Sequence, residues 1–315
     1  MAIFFNEEEV GSLLPMPEAV ARVEEAFRLL GEKKAVNRPR SRVRLKKLML
    51  HVMSAGSDDL GYAGLKAYTT GPSGARFYFL LFDAAKGELL SMMAADRLGQ
   101  IRTGAATAVA ARYLARRDAS RVGIYGSGWQ ARSQIEALAA SRKLTQVLVY
   151  SRSPDRRKAF CDEMTNLLDL PVGPASSPEE AAAESEILVT ATSAKEPVLL
   201  GEWLEPGHHV SAIGANALTR REIDERAVLR ADVIAADSVE QAKIECGDLA
   251  FVVEAGKLSW ESVRELSDVV ASGLDREPAA ITLFESQGIA IEDVAVAKVV
   301  YERGREQGRG KTLDV

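Results

Sequence analysis

"RVGIYGSGWQARSQIEAL", residues 121–138, holds Gly126, Gly128 and Ala131 in a Gly-x-Gly-x-x-Ala arrangement between an apolar run and a helical pattern. In a dinucleotide-binding turn the first glycine permits a tight turn after a strand. The second lets the backbone approach a pyrophosphate, and the third position must be small so that helix and strand can pack. The helix that follows offers N–H groups and a favourable dipole to phosphate. Alone, such a pattern is weak. Here "VGIYG" (122–126) reads as a buried strand and "QARSQIEALAA" (130–140) as a helix, and a second strand, "QVLVYS" (146–151), follows at the expected distance. Gly126, Ser127, Gly128, Trp129 and Gln130 are therefore expected cofactor contacts.

The end of that second strand selects the cofactor. An acidic residue there serves the ribose 2′-hydroxyl of NAD, whereas an arginine accommodates the 2′-phosphate of NADP. The chain has "YSRSPDRR", with Ser151, Arg152 and Ser153 at the place in question and Asp155 two residues later. A guanidinium flanked by two hydroxyls favours NADP(H), with NAD(H) as the alternative.

Outward from this core, "EILVTATS" (186–193), "HHVSAIGA" (208–215), "ADVIAAD" (231–237) and "AITLFES" (280–286) are further strands, and "TRREIDERAVLR" (219–230) is among the helices between them. Strand–helix alternation calls for a parallel sheet covered on both faces. The first 115 residues read otherwise. One or two helices precede short alternating runs broken by glycine-rich turns, as in an antiparallel or mixed sheet. An alanine-rich helix (97–116) leads into the cofactor domain, and "IAIEDVAVAKVVYERGREQG" is a long amphipathic helix with room to pack back on the first domain. The expected architecture is α/β: a Rossmann-type domain over 116–290, and a mixed α+β domain over 1–115 with 291–315.

Bulk properties narrow the function classes. The 315 residues are 47% hydrophobic and 27% charged, with a net charge of −5 and a pI near 5.5, which argues against a nucleic-acid partner. The basic stretch "RPRSRVRLKK" (38–47) is either a solvated strand face or a collector of a small anion. No apolar run reaches the roughly 20 residues of a membrane span, and "MAIFFNEEEV" does not have the form of a signal peptide. Two cysteines, Cys161 and Cys246, suit a reducing compartment. A cytoplasmic protein is expected.

Conventional catalytic groups are few. His208 and His209 begin a strand, away from the carboxyl ends where such sheets bind ligands, and no metal-ligand spacing is present. What remains is a set of cations in the first domain: Arg40, Arg42, Lys66 and Arg102. Arg102 stands on an otherwise small, apolar helix face, where a buried guanidinium needs an anionic partner. Arginine suits bidentate carboxylate binding, and a partly buried lysine can give or take a proton.

Five stretches occur in a telling order: "GLKAYT", "LGQIRTGAATAVAARYLAR", "GIYGSGWQA", "SAIGANALTRREID" and "TLFESQGIAIEDVAVAKVVYERG". In sequence and spacing the chain resembles the ornithine cyclodeaminase/mu-crystallin family over nearly its whole length. That resemblance implies a homodimer built through the first domain and an NAD(P)-binding Rossmann-type domain. It also implies a small imino-, keto- or amino-acid substrate. By the same resemblance Arg40 (with Arg42 as rival), Lys66 and Arg102 hold the substrate carboxylate, and Lys66 is the catalytic lysine. Thr103 touches cofactor phosphate; Thr192, Ile213 and Gly214 pass under ribose and nicotinamide; Ser286 and Gly288 close the pocket.

One position departs from the cyclodeaminase pattern. Where those enzymes carry an aspartate toward the substrate amine, this chain has Asn216. An amide neither takes a proton at neutral pH nor offers a negative charge to an ammonium group. The expectation is therefore a reductase of small cyclic imino acids, such as 1-pyrroline-2-carboxylate or 1-piperideine-2-carboxylate. An alanine dehydrogenase is second, and a cyclodeaminase or a non-enzymatic NADPH-dependent binding protein comes after it.

Overall fold

Asn6 accepts the N–H of Glu9 while Glu9 accepts the N–H of Asn6, a capping box that starts the first helix at Glu7. The computed structural model describes residues 1–314. It divides into two compact units, Met1–Thr103 with the segment from Gly288 onward, and Gly104–Gln287.

The first unit begins with β1 (Ala2–Phe5), α1 (Glu7–Leu13) and α2 (Met16–Gly31). A meander follows: β2 (Val36–Arg44), β3 (Met49–Ser57), β4 (Tyr62–Gly71), β5 (Gly74–Asp83) and β6 (Leu89–Ala94), each antiparallel to the next. Burial alternates along β3 and β4 with period two, so Gly64, Lys66 and Tyr68 share the inward face. The chain then enters α3 (Asp96–Leu114).

The second unit contains β7 (Arg121–Tyr125), α4 (Trp129–Ser141), β8 (Gln146–Tyr150), α5 (Pro154–Leu168), β9 (Val172–Pro174), α6 (Pro178–Ala183), β10 (Ile187–Thr190), β11 (His209–Ala212), α7 (Glu225–Arg230) and β12 (Val233–Ala236). It continues through α8 (Val239–Glu245), α9 (Gly247–Glu254), β13 (Arg264–Glu265), α10 (Leu266–Ser272) and β14 (Thr282–Glu285). Its eight strands are all parallel, in the order β13-β12-β14-β11-β10-β7-β8-β9. Strand order reverses between β7 and β10, the switch point at which open α/β sheets bind ligands. The central strands are buried on both faces, as helices on both sides require. This is the α/β, Rossmann-type architecture that the sequence pattern predicts.

The chain returns to the first unit in α11 (Ala290–Glu306) and β15 (Lys311–Leu313). The first sheet is thereby completed as β15-β1-β6-β5-β4-β3-β2, mixed because β1 runs parallel to β6. α11 packs on β2 to β6 and on α1 and α2.

Several expectations shift. The units part at 103/104 and 287/288 rather than at 115/116 and 290/291. The first of these points falls inside α3, whose uninterrupted buried face carries no punctuation. α11 is not amphipathic in its first half, since Ala290 to Ala297 are all buried. The helix expected over 219–230 is confined to Glu225–Arg230, because the residues before it make tertiary hydrogen bonds described below. The short strands β9 and β13 lack an apolar run of their own.

Candidate active site

In the first unit the cations meet two buried acids. Lys66, on the inward face of β4, is 2% exposed and donates from Nζ to Asp293 Oδ1 at 2.9 Å. Arg102, on α3, donates from Nη1 to Glu292 Oε2 at 2.7 Å, and its Nε lies 3.5 Å from Asp293 Oδ1. Glu292 and Asp293 are adjacent in the first turn of α11 and fully buried. Arg40, on β2, donates from Nη2 to the Gly288 carbonyl at 3.1 Å and lies over the Tyr68 ring.

Gly288 carries a φ of +77°, and a Cβ there would sit 2.5 Å from Arg102 Nη1. Only glycine meets both conditions. Gly99 has a similar duty: a Cβ on it would lie 2.8 Å from Lys66 Nζ. Arg40, Lys66, Arg102 and Gly288, drawn from four distant segments, thus form one cluster. Arg42 stands outside its centre, half-exposed and opposite His51 on β3.

Burial is the largest influence on Lys66 and lowers its pKa. Asp293 pushes it back up, and the Arg102 and Arg40 charges push it down again, leaving it below an ordinary lysine. Burial, aided by Arg42 and Arg40, drives His51 down to about 4, so it is neutral at pH 7 and stacks flat on Tyr68. Three basic side chains, Arg40, Lys66 and Arg102, and two buried carboxylates, Glu292 and Asp293, thus meet in the first unit.

The second unit holds the glycine turn. Gly126 has a φ of +117°, and a Cβ there would lie 2.4 Å from the Ala191 carbonyl just past β10. Gly128 has open space where a side chain would be, and as N-cap of α4 it leaves the helix without a side-chain cap. A helix N-terminus without a side-chain cap, beside open space, is what a pyrophosphate needs. Ala131 is fully buried. The turn fits a dinucleotide.

Ser127 Oγ donates to Ser151 Oγ at 3.0 Å, joining the turn to the end of β8. Arg152 is exposed there; Ser153 caps α5, and Arg157 reaches back to the Ser151 carbonyl at 3.2 Å. Trp129 is exposed and Gln130 half-buried. Thr192 and Gly214 are brought together by Glu222, Ile213 is buried beside Gly214, and Asn216 is exposed. Ser286 Oγ lies 3.4 Å from Asp237 Oδ2, which also accepts the Gln287 N–H at 2.7 Å. Thr103, in the first unit, donates its hydroxyl to the Gly99 carbonyl at 2.7 Å.

Sequence reasoning passed over Glu222, Asp237, Glu292 and Asp293. For the last two a signal existed: adjacent carboxylates inside the apolar run "IAIEDVAVA" demand cationic partners. Of the histidine pair, His209 is the first residue of β11, buried and bonded to Thr282 and Ser211, and His208 precedes the strand.

A cleft of about 920 Å³ in the second unit, lined by Arg112, Arg116, Arg142 and Arg276 among others, is a different feature. Its residues precede β7, β8 and β14, so it lies at the amino ends of the strands. Arg142 there donates to the carbonyls of Ala111, Arg116 and Ala119.

Residues 2–308 match the ornithine cyclodeaminase/mu-crystallin family. The chain belongs to that family. Alanine dehydrogenase of Archaeoglobus fulgidus is 35% identical over 99% of this chain and 98% of its own. The Thermococcus litoralis Delta(1)-pyrroline-2-carboxylate reductase, solved in complex with NADH and L-proline, superposes with a TM-score of 0.94 at 31% identity, covering 99% of this chain and all of the other. An archaeal alanine dehydrogenase dimer with bound NAD superposes with a TM-score of 0.93 at 35% identity, over 99% of both chains. These family members are oxidoreductases acting on imine or amino-acid carbon–nitrogen bonds.

Proposed function

We propose that the protein is an NAD(P)H-dependent reductase of small cyclic imino acids, giving the corresponding L-amino acid. The convergence of Arg40, Lys66 and Arg102 beside the buried Glu292 and Asp293 carries this reading. Two guanidinium groups and an ammonium in one cluster suit a substrate carboxylate. A cyclic ketimine acid protonated at nitrogen is already electrophilic at carbon, so the protein need not supply a strong acid. The bound cofactor supplies the hydride. Arg102 and Arg40 bind and orient the carboxylate, and Lys66, held by Asp293, positions the acid and can move a proton at Nζ.

The first unit is the substrate-binding and dimerising part, and the second binds the dinucleotide. NADP(H) is preferred, because Ser151 and Arg152 just past β8 offer a hydroxyl and a guanidinium to a 2′-phosphate where NAD enzymes place an acid. We read the protein as a cytoplasmic homodimer, its assembly supported by the archaeal alanine dehydrogenase dimer. A second reading, L-alanine dehydrogenase, is favoured by the 35% identity to the Archaeoglobus enzyme, and would ask Lys66 to handle the protons of water and imine steps. Asn216, exposed beyond β11, argues against a cyclodeaminase.

The test is nicotinamide absorbance with NADPH and then NADH against five- and six-membered cyclic imino acids, and against pyruvate with ammonia. Fast oxidation with a cyclic imine is expected. Turnover with pyruvate and ammonia alone would move the assignment to the dehydrogenase, and no turnover with any of them would overturn both readings.

A further inference from the structure

β10 and β11 are adjacent parallel strands, with Thr190 opposite Ala212, and beyond their carboxyl ends run the segments of Thr192 and Gly214. Glu222, fully buried, reaches both from the stretch between β11 and α7. Its Oε1 accepts the Thr192 N–H at 2.6 Å, and its Oε2 accepts the Gly214 N–H at 2.6 Å and the Thr190 hydroxyl at 2.9 Å. One carboxylate therefore ties together the two segments that run just past the last backbone hydrogen bond between these strands, Ile213 N–H to the Thr190 carbonyl at 2.9 Å.

The three-way contact has no slack. A Cβ on Gly214 would lie 2.2 Å from the Thr192 carbonyl and 2.7 Å from Glu222 Oε1. The glutamate is itself anchored. Its N–H and that of Ile223 donate to Asp248 Oδ1 at 2.8 and 3.0 Å, and its carbonyl accepts from Val198 and Leu199. Behind Asp248 stand Glu285 and Cys246, whose thiol donates to Glu285 Oε2 at 3.4 Å. Burying a carboxylate among further acids is costly, and nothing in the packing of the β-sheet core requires one at this point. Three converging partners favour it over an amide, which would turn an N–H of its own toward the Thr192 or Gly214 N–H.

We propose that Glu222 is a positioning residue for the dinucleotide. It holds the Thr192 and Gly214 segments in the shape that receives the ribose and nicotinamide half, and acts on the cofactor only through them. The proposal rests on the dinucleotide reading of this unit. The adenylate half is served by a different set of residues, Gly126 to Gln130 and Ser151 to Ser153, so the two halves of the cofactor separate the effects.

The experiment compares wild type with E222Q, an isosteric change. Binding of NADPH and NADH is followed by nicotinamide fluorescence, and of adenosine 2′,5′-bisphosphate and AMP by calorimetry. E222Q is expected to weaken the preferred dinucleotide at least tenfold while the adenylate half binds within twofold of wild type. Unchanged dinucleotide affinity overturns the proposal. Equal loss of both ligands also overturns it, because Glu222 would then support the whole unit rather than one half of the site. Should E222Q fail to fold, T190V removes one of the three donors, and a smaller loss confined to the dinucleotide is expected; no selective loss overturns the proposal. Wild type that binds no dinucleotide fails the underlying reading instead, which no E222Q result can mimic.

Discussion

The two units build their candidate sites from opposite materials. In the second, the cradle is mostly backbone: Gly126 under the Ala191 carbonyl, uncapped N–H groups at the start of α4, and the strand-end amides of Thr192 and Gly214. In the first, the cluster is all side chain, with two arginines and a lysine against two carboxylates from β2, β4, α3 and α11. A backbone cradle tolerates many side chains but few changes at glycine. A side-chain cluster depends on every charge keeping its partner, because the desolvated survivor of a broken pair has nothing to replace it.

If this contrast is right, variants of the two units should fail in different currencies. Lys66→Ala should have the largest effect, lowering turnover by about 10²–10⁴ while nicotinamide fluorescence still reports NADPH binding; unchanged turnover would remove Lys66 from the chemistry. Lys66→Arg separates charge from chemistry, since it should restore thermal stability lost in Lys66→Ala without restoring turnover. Next, Arg102→Ala leaves Glu292 buried without its guanidinium, which should cost about 3–5 kcal/mol of stability and raise KM for the acid far more than that for cofactor. Equal changes in both KM values would dissolve the distinction between the units.

In the other unit, Gly126→Ala places a side chain at positive φ against a carbonyl. It should cost about 1–3 kcal/mol, seen as a lower melting temperature and weakened cofactor binding. Substrate KM at saturating cofactor should stay near wild type. The smallest effect is reserved for Arg152→Ala, whose exposed side chain makes no demand on the fold. NADPH should weaken about tenfold, the equivalent of ~1.4 kcal/mol, with NADH and melting temperature unchanged. Equal loss for both cofactors would mean that the end of β8 does not read the 2′-phosphate.

The same contrast explains what could be read without coordinates. β7, α4, β8, β10, β11, β12 and β14 all fall where apolar runs and helical periodicity put them, because those signals are local. The segment before α7 is not the helix that its pattern predicts. Its residues look helical one by one, yet Glu222 and Ile223 give their N–H groups to Asp248, and Ile223 bridges to Leu199. Long-range hydrogen bonds outweighed local propensity there.

The sequence alone determined the parallel sheet with its phosphate turn, the mixed sheet before it, and the identity of the cations, since periodicity, glycine spacing and charge in an apolar context act over a few residues. Only the tertiary structure decided which acids answer those cations and which of Arg40 and Arg42 is drawn in. It alone set Glu222 across two strand ends. A buried charge announces that it must have a partner, but the partner lies 190 residues away for Arg102 and 227 for Lys66, and only the folded chain closes that distance.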